Sequence, residues 1–333
     1  MNMKKKLLLV AIALTFVLTS CGEATTELRT LATLRRIDDF PLYEMHYYGD
    51  YDFESFLQEG LRTDKRSQPY EEETDNSWAC TCFSSLSEEG ELVFGRNFDW
   101  HSHPALVLFT SPPGGYASVS MVDISYLGYD EEMPSWIERR ALLRAPYLPF
   151  DGMNEYGLAV GIMAVSYADG GNDPEKVTIG GLQAVRLMLD YAKDVEEALS
   201  LLEDYNIDFQ GGPPLHYLIS DSSGNSAVTE FINGEIKVIR NSERWQVSTN
   251  FLISNVRPEG ARSPCWRYNR AYETLEQADG NISREKAMAL LEHVSQSVTI
   301  WSAVYNMTTG DIRVVMGREY DEVHEFTLGM RDD

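Results

Sequence analysis

Cys80-Thr81-Cys82-Phe83-Ser84-Ser85-Leu86-Ser87-Glu88-Glu89-Gly90-Glu91-Leu92-Val93-Phe94-Gly95-Arg96-Asn97-Phe98-Asp99-Trp100 is the stretch from which the rest of the chain can be read. Two strand-like runs, 80–87 and 91–99, flank a Glu-Glu-Gly turn, and a short connection ending in Gly signals a hairpin. A hairpin folds its first residue back beside its last, so Cys80 is expected next to Arg96 and Asp99. A thiol beside a cation and a carboxylate is a candidate nucleophile. If the chain is cut between Ala79 and Cys80, the new α-amine gives that thiol its own base.

Upstream, residues 1–20 read as a secretory signal. Lys4 to Lys6 form its charged start, and the apolar run Leu7 to Leu18 is shorter than the roughly 20 residues a membrane span needs. Leu18-Thr19-Ser20-Cys21 resembles the box at which bacterial lipoproteins are cut before a lipidated cysteine. The expectation is an exported, membrane-anchored lipoprotein on the bacterial cell surface or periplasmic side, lipidated at Cys21. Residues 21–79 are then a lipidated tether and pro-segment, polar at 22–40 and packed on the domain from about 40, where aromatics such as Tyr43, Tyr47, Tyr48 and Tyr51 crowd together. The charged stretch 64–77 has the composition of an exposed, cleavable loop and ends just before Trp78-Ala79-Cys80. The catalytic domain is expected at 80–333.

The chain has 333 residues, a net charge of −24, and 43% hydrophobic with 11% aromatic residues, which is a globular composition with ample material for a core. That acidity, with no basic run longer than Lys4-Lys5-Lys6, excludes a nucleic-acid partner, whose phosphates need clustered Lys and Arg. Beyond the first hairpin, strand-like runs lie at 105–110, 115–126 and 157–166, with a helix expected at 134–143. Helices follow at 178–192 and, opened by the capping box at Asp194, to about 205. Strands return at 215–220, 226–232, 236–240 and 245–250. Helices at 265–277 and, capped by Ser283, at 284–297 precede the closing strands 299–306, 311–316 and 324–328. This alternation suits an α+β fold with two stacked antiparallel sheets between helix layers.

Of the four cysteines, Cys21 is assigned to lipid, which leaves Cys80, Cys82 and Cys265. An odd number leaves at least one thiol unbridged within the chain, and a bridge between Cys80 and Cys82 is not expected. His101 and His103 read as surface residues of the loop after Trp100, because no second His or Cys pair lies at ligand spacing. No metal and no cofactor is expected.

Cys80-Thr81 followed by Gly95-Arg96-Asn97-Phe98-Asp99-Trp100 resembles the start of the linear-amide N-terminal-nucleophile (Ntn) hydrolases. These include choloylglycine (bile salt) hydrolases, penicillin V acylases and the acyl-CoA:6-aminopenicillanic acid acyltransferases. In bile salt hydrolases the same cysteine leads its Arg and its Asp by the intervals that separate Cys80 from Arg96 and Asp99; counted from Cys82, both intervals fail. Four further segments agree in order: Asp151-Gly152-Met153-Asn154-Glu155-Tyr156-Gly157-Leu158, Leu215 to Asp221 with Gly224 and Glu230, Ser248-Thr249-Asn250, and Trp266-Arg267-Tyr268-Asn269-Arg270-Ala271. The run Thr299 to Tyr305 fits as well, so the likeness spans about 80 to 328. It implies the Ntn-hydrolase αββα sandwich.

The resemblance also implies roles: Cys80 as nucleophile and α-amine base, Arg96 and Asp99 beside it, and Asn250 in the oxyanion hole, with Arg267 the later active-site arginine. The chain departs at Ala164, where bile salt hydrolases carry a polar side chain, so a backbone N–H there is the expected second oxyanion donor. Trp100 and Met163-Ala164-Val165 are worded more like the acyltransferase branch. A free thiol titrates at about 8.5 and an α-amine at about 7.7–8.0, so the amine can serve as base and no histidine is needed. Arg96 would favour the thiolate, and Asp99 would orient the amine. The expected function is therefore cleavage of a linear amide bond in a small-molecule N-acyl substrate through an acyl-thioester. The alternatives are an acyltransferase of the same family, an unprocessed ligand-binding lipoprotein, and a redox lipoprotein using Cys80 with Cys82. An oligomer is left open.

Overall fold

The computed structural model describes residues 24–61, 79–86, 90–100, 103–129, 132, 134–209, 212–256 and 264–331. The signal segment 1–20, Cys21, the 64–77 loop and His101 lie outside them. Within the described residues one sheet has nine strands, in the spatial order β1 (Arg35–Asp38), β2 (Leu42–Tyr47), β5 (Ala105–Thr110), β6 (Ser118–Asp123), β7 (Asp151–Asn154), β8 (Ala159–Ala164), β11 (Leu215–Ser220), β12 (Ser226–Ile232) and β13 (Glu235–Arg240). A second sheet has six, in the order β14 (Gln246–Ser248), β3 (Thr81–Leu86), β4 (Leu92–Asp99), β15 (Thr299–Asn306), β16 (Asp311–Met316) and β17 (His324–Thr327). A parallel pair, β9 (Val177–Gly180) and β10 (Tyr205–Asp208), stands apart. Neighbours in the two large sheets are antiparallel, except that β2 runs parallel to β5.

Helix α1 spans 24–32 and α2 spans Phe53–Glu59. Helices α3 (Gly181–Tyr191) and α4 (Val195–Glu203) pack on β7, β8 and β11, whereas α5 (Trp266–Gln277) and α6 (Arg284–His293) pack on β3, β4, β14 and β15. Strand β3 also meets β8 and β11 of the other sheet. The layers therefore run helix, sheet, sheet, helix, as the αββα expectation required.

Alternation along the strands builds two cores. Phe83, Val93, Val304 and Val315 turn toward Ala271 and Leu275 of α5 and Leu290 and Leu291 of α6. Their neighbours Cys82, Phe94 and Ala303 turn the opposite way, into the core between the sheets. Strand β4 is consequently buried on both faces along its whole length, which makes it a rigid base for Arg96 and Asp99.

The expected hairpin forms, with Thr81 opposite Asn97, Cys82 opposite Arg96 and Leu86 opposite Leu92. Gly90 has φ +86°, the left-handed conformation that the turn demands and glycine adopts freely. The expected caps form too: the Asp194 carboxylate accepts from the Glu197 amide, and the Ser283 hydroxyl accepts from the Lys286 amide. Two expectations are corrected. The helix expected at 134–143 is a 3-10 stretch at Glu138–Tyr147 that contains Pro146. Of the expected tether 22–40, the described residues 24–40 are more than a tether, since α1 and β1 are formed and Thr30, Leu31 and Leu34 are buried.

Candidate active site

Three elements converge on Cys80, the residue just before β3. Strand β14 pairs with β3 so that Ser248 faces Cys82, and the chain leaving β14 through Thr249 and Asn250 runs beside Cys80. The Cys80 backbone N–H donates to Asn250 Oδ1 at 2.5 Å. From the first turn of α5, Arg267 donates to the Cys80 carbonyl, to Thr81 Oγ1 at 2.9 Å and to Asn250 Oδ1 at 3.2 Å. Both peptide groups of Cys80 are thus held, and the residue is only 2% exposed.

Arg96 approaches from β4 and is fully buried. Its Nε donates to Asp151 Oδ2 at 3.1 Å, and its Nη1 donates to the Ile162 carbonyl and to Cys82 Sγ at 3.5 Å. Burial opposes the charge, but the Cys80, Cys82 and Asp151 groups around it outweigh that and raise its pKa above the ordinary value. The neighbouring Cys82 thiol is pushed up to about 12 by burial, with Arg96 pulling the other way, so it stays protonated. Nη2 of Arg96 is buried and finds no hydrogen-bond partner among the described residues. A spare donor on a buried cation beside a thiol is what a developing anion would use.

Residues two apart on a strand share a face. Cys80 and Cys82 accordingly both lie on the Arg96 side, and none of Cys80, Cys82 and Cys265 forms a disulfide. Gly161 of β8 makes room for this cluster: a Cβ there would sit 2.8 Å from Cys82 Sγ and 3.3 Å from Arg96 Cδ.

Asp99 closes β4 at the level of Ala79, one residue before Cys80, as the Thr81–Asn97 register dictates. Its carboxylate accepts from Thr299 Oγ1 and from Gln296 Nε2 at 3.2 Å. Burial raises its pKa, against the pull of Thr299, Arg267, Gln296 and Arg96. In the uncut chain the Cys80 N–H goes to Asn250 rather than to Asp99. Ala164 presents its carbonyl, which accepts from Asn250 Nδ2 at 2.8 Å. One of the two N–H groups of the Asn250 amide is therefore engaged by Ala164.

Sequence reasoning passed over several partners. Asp151, which the sequence offers only as part of a matching segment, is the buried counter-ion of Arg96 and also accepts from Trp301 Nε1 at 3.1 Å and Tyr305 Oη at 2.5 Å. A buried arginine requires a carboxylate, and that requirement is the signal that would have found it. Thr81, Gln296 and Thr299 carry no comparable signal. His103 is only partly exposed and pairs with Asp123 Oδ2 at 2.9 Å. Asn154 has a structural part: it donates to the Leu189 and Ala192 carbonyls and accepts from the Tyr156 and Leu158 amides.

The comparisons with known proteins begin where this geometry does. The family model of linear amide C–N hydrolases, choloylglycine hydrolase family, matches residues 80–252, from Cys80 to just past Asn250. A penicillin V acylase of Pectobacterium atrosepticum is 32% identical over 192 residues, 52% of this chain and 50% of that protein. An uncharacterized protein of Paramecium bursaria Chlorella virus 1 is 33% identical over 100 residues, 27% of this chain and 36% of that protein. The chain thus matches half or less of the length of these two relatives. Among solved structures, a mutant conjugated bile acid hydrolase from Clostridium perfringens superposes with a TM-score of 0.55 at 16% identity, over 76% of this chain and 93% of that one. The penicillin V acylase of Agrobacterium tumefaciens gives 0.51 at 20% identity, over 71% and 83%. At such identities these likenesses speak to the fold. With more than half of its residues matched from Cys80 onward, this chain belongs to the linear amide C–N hydrolases, choloylglycine hydrolase family.

Proposed function

We propose that the protein is an N-terminal-nucleophile cysteine hydrolase that cleaves the amide bond of an N-acyl small molecule after cutting itself before Cys80. The observation that carries this reading is the clamp on Cys80: its N–H on Asn250, its carbonyl on Arg267, and the charge of Arg96 on its side of the strand. Self-cleavage begins when Cys80 Sγ attacks the Ala79 carbonyl carbon. The C–N bond breaks, the proton lost by sulfur passes to the departing amine, and water hydrolyses the thioester.

The freed α-amine then stands where the peptide N–H stood, on Asn250 Oδ1. It takes the thiol proton, and the thiolate attacks the substrate carbonyl with Arg96 supplying positive charge. The amine product leaves with that proton. The acyl group stays as a thioester until water, activated by the same α-amine, releases it as a carboxylate. In this scheme Asn250 Oδ1 receives the amine, and its Nδ2, with one N–H on the Ala164 carbonyl, has its second N–H for the oxyanion. Export and lipidation at Cys21 belong to the same reading of the mature protein.

The test is the intact mass of folded protein starting at residue 22. Wild type should split before Cys80, Cys80→Ala should stay whole, and only the split protein should turn over a panel of N-acyl amides. Wild type that stays whole yet folded would deprive the mechanism of its base and sink the reading.

A further inference from the structure

Three large apolar side chains lie open to water on two segments of the chain: Leu28 of α1 at 52% exposure, Trp136 at 50% and Ile137 at 84%. Exposed groups of this size in one place mark a surface that something covers. They are brought together by a contact between two distant segments. Glu27, next to Leu28, pairs with Arg140 at 3.0 Å, and Arg140 follows Trp136 and Ile137 in the same segment. The Arg139 guanidinium lies 5.4 Å from the Trp136 ring. An exposed Trp and two aliphatic side chains flanked by arginines have the composition of a protein surface at the membrane–water interface.

The occupant follows from the length of chain in front of α1. Residue 24 is already helical, and the helix is tied down through the buried Thr30 and Leu31. Only three peptide steps separate Cys21 from residue 24, and three residues, fully extended, span at most about 11 Å. A lipid on Cys21 therefore cannot let the domain drift away, and it holds α1 near the headgroups at high effective concentration. Leu28 lies about one helical turn from residue 24, and the Glu27–Arg140 pair ties the segment of Trp136 and Ile137 to the same helix. We propose that this face is a membrane-docking surface, lying on the phospholipid bilayer into which the Cys21 lipid inserts.

The proposal rests on lipidation of Cys21 and not on the amidase chemistry. The chain as a whole is strongly acidic, at −24, so attraction to anionic lipid cannot drive the contact. Arg140 is already neutralised by Glu27, and apolar insertion supplies the binding.

To test it, the full chain is purified from bacterial membranes in detergent and reconstituted into phosphatidylcholine vesicles with and without brominated lipid. The chain has six tryptophans. Brominated lipid should quench the share of the wild-type emission that comes from one interfacial indole. That increment should vanish in Trp136→Phe, whose melting temperature should match wild type because the side chain is half exposed. Leu28→Ser with Ile137→Ser should reduce the quenching of Trp136 while the lipid keeps the protein on the vesicles. Anchored wild type whose emission ignores brominated lipid would overturn the proposal, as would a Cys21 without lipid in the intact mass. The same mass spectrum reads the cut before Cys80, so failure of the hydrolase reading is seen separately.

Discussion

His216 carries a proton question into the base of the active site. Its ring is fully buried, with Nε2 donating to the Thr249 carbonyl at 2.7 Å and Nδ1 3.9 Å from Glu230 Oε1. Glu230 in turn accepts from the Ile253 amide at 2.5 Å, so the two side chains hold the loop that carries Asn250. Burial pushes the His216 pKa down to about 4, with the Thr249 hydrogen bond raising it only in part. The folded state therefore keeps the ring neutral, while the unfolded chain protonates it below its ordinary value of about 6.5. Stability from this group is present above that value and drains away as pH falls toward about 4. Between pH 7 and pH 5 the loss should be about 2 kcal/mol, read from urea midpoints, and His216→Gln should remove this slope. An unchanged slope in that variant would assign the acid sensitivity elsewhere. Asp151 makes the same point about buried charge. Asp151→Asn strands the Arg96 cation and should cost about 3 kcal/mol or more, with self-cleavage lost alongside. The sequence pointed to Cys80, Arg96 and Asp99 through spacing, and to Asn250 and Arg267 through short matching motifs, because both are one-dimensional properties. It did not point to Asp151 or His216 as supports, because their roles come from facing strands that only folding brings into contact.

Gly161 shows the element-scale constraint most sharply, because it is where the two sheets approach through a single missing side chain. An added Cβ would lie 2.8 Å from Cys82 Sγ, 3.2 Å from the Phe94 ring and 3.3 Å from Arg96 Cδ. None of these can swing away, since Cys82, Phe94 and Arg96 are all fully buried. Gly161→Ala should therefore destabilise by about 1–3 kcal/mol, seen as a lower denaturant midpoint. It should also slow self-cleavage by displacing Arg96; a variant with normal stability and normal cleavage would show that the sheets yield more readily than this packing suggests. Elements with strong local signals were legible before folding. The β3–β4 hairpin declared itself through its turn, and α4 and α6 through the caps Asp194 and Ser283. Elements held by distant partners were not. Helix α1 buries only Thr30 and Leu31 among charged and polar neighbours, which hides its periodicity. Strand β2 was seen as an aromatic packing segment, but its parallel alignment with β5 depends on a partner nearly sixty residues away.

At the scale of the whole molecule, the segment before Cys80 is a structural part of the domain that follows. Strand β2 is paired on both sides, with β1 and with β5, so removing it would strip one edge of the nine-stranded sheet. Leu42, Tyr43, Met45 and Phe53 are buried in the main core, each worth about 1.5–3 kcal/mol of apolar burial. Tyr51 donates to Asp190 Oδ2 at 2.6 Å, and Asp190 is itself the counter-ion of the buried Arg186. Tyr147 donates to the Tyr51 carbonyl at 2.6 Å, and Asp38 pairs with His324 of β17 at 2.6 Å. These ties draw on the small segment from both sheets. A cut between Ala79 and Cys80 would sever one peptide bond and leave every one of them intact. Native gel filtration of the cut protein should therefore recover both pieces in one peak at the mass of the whole chain. Denaturant should separate them, and the 80–333 piece alone should fail to regain its cooperative melting transition on refolding. Recovery of 80–333 by itself, folded and monodisperse, would show that the nine-stranded sheet tolerates losing β1 and β2. The expected outcome makes the upstream piece a permanent subunit, so that a lipid on its Cys21 would anchor the catalytic chain without any covalent link between them.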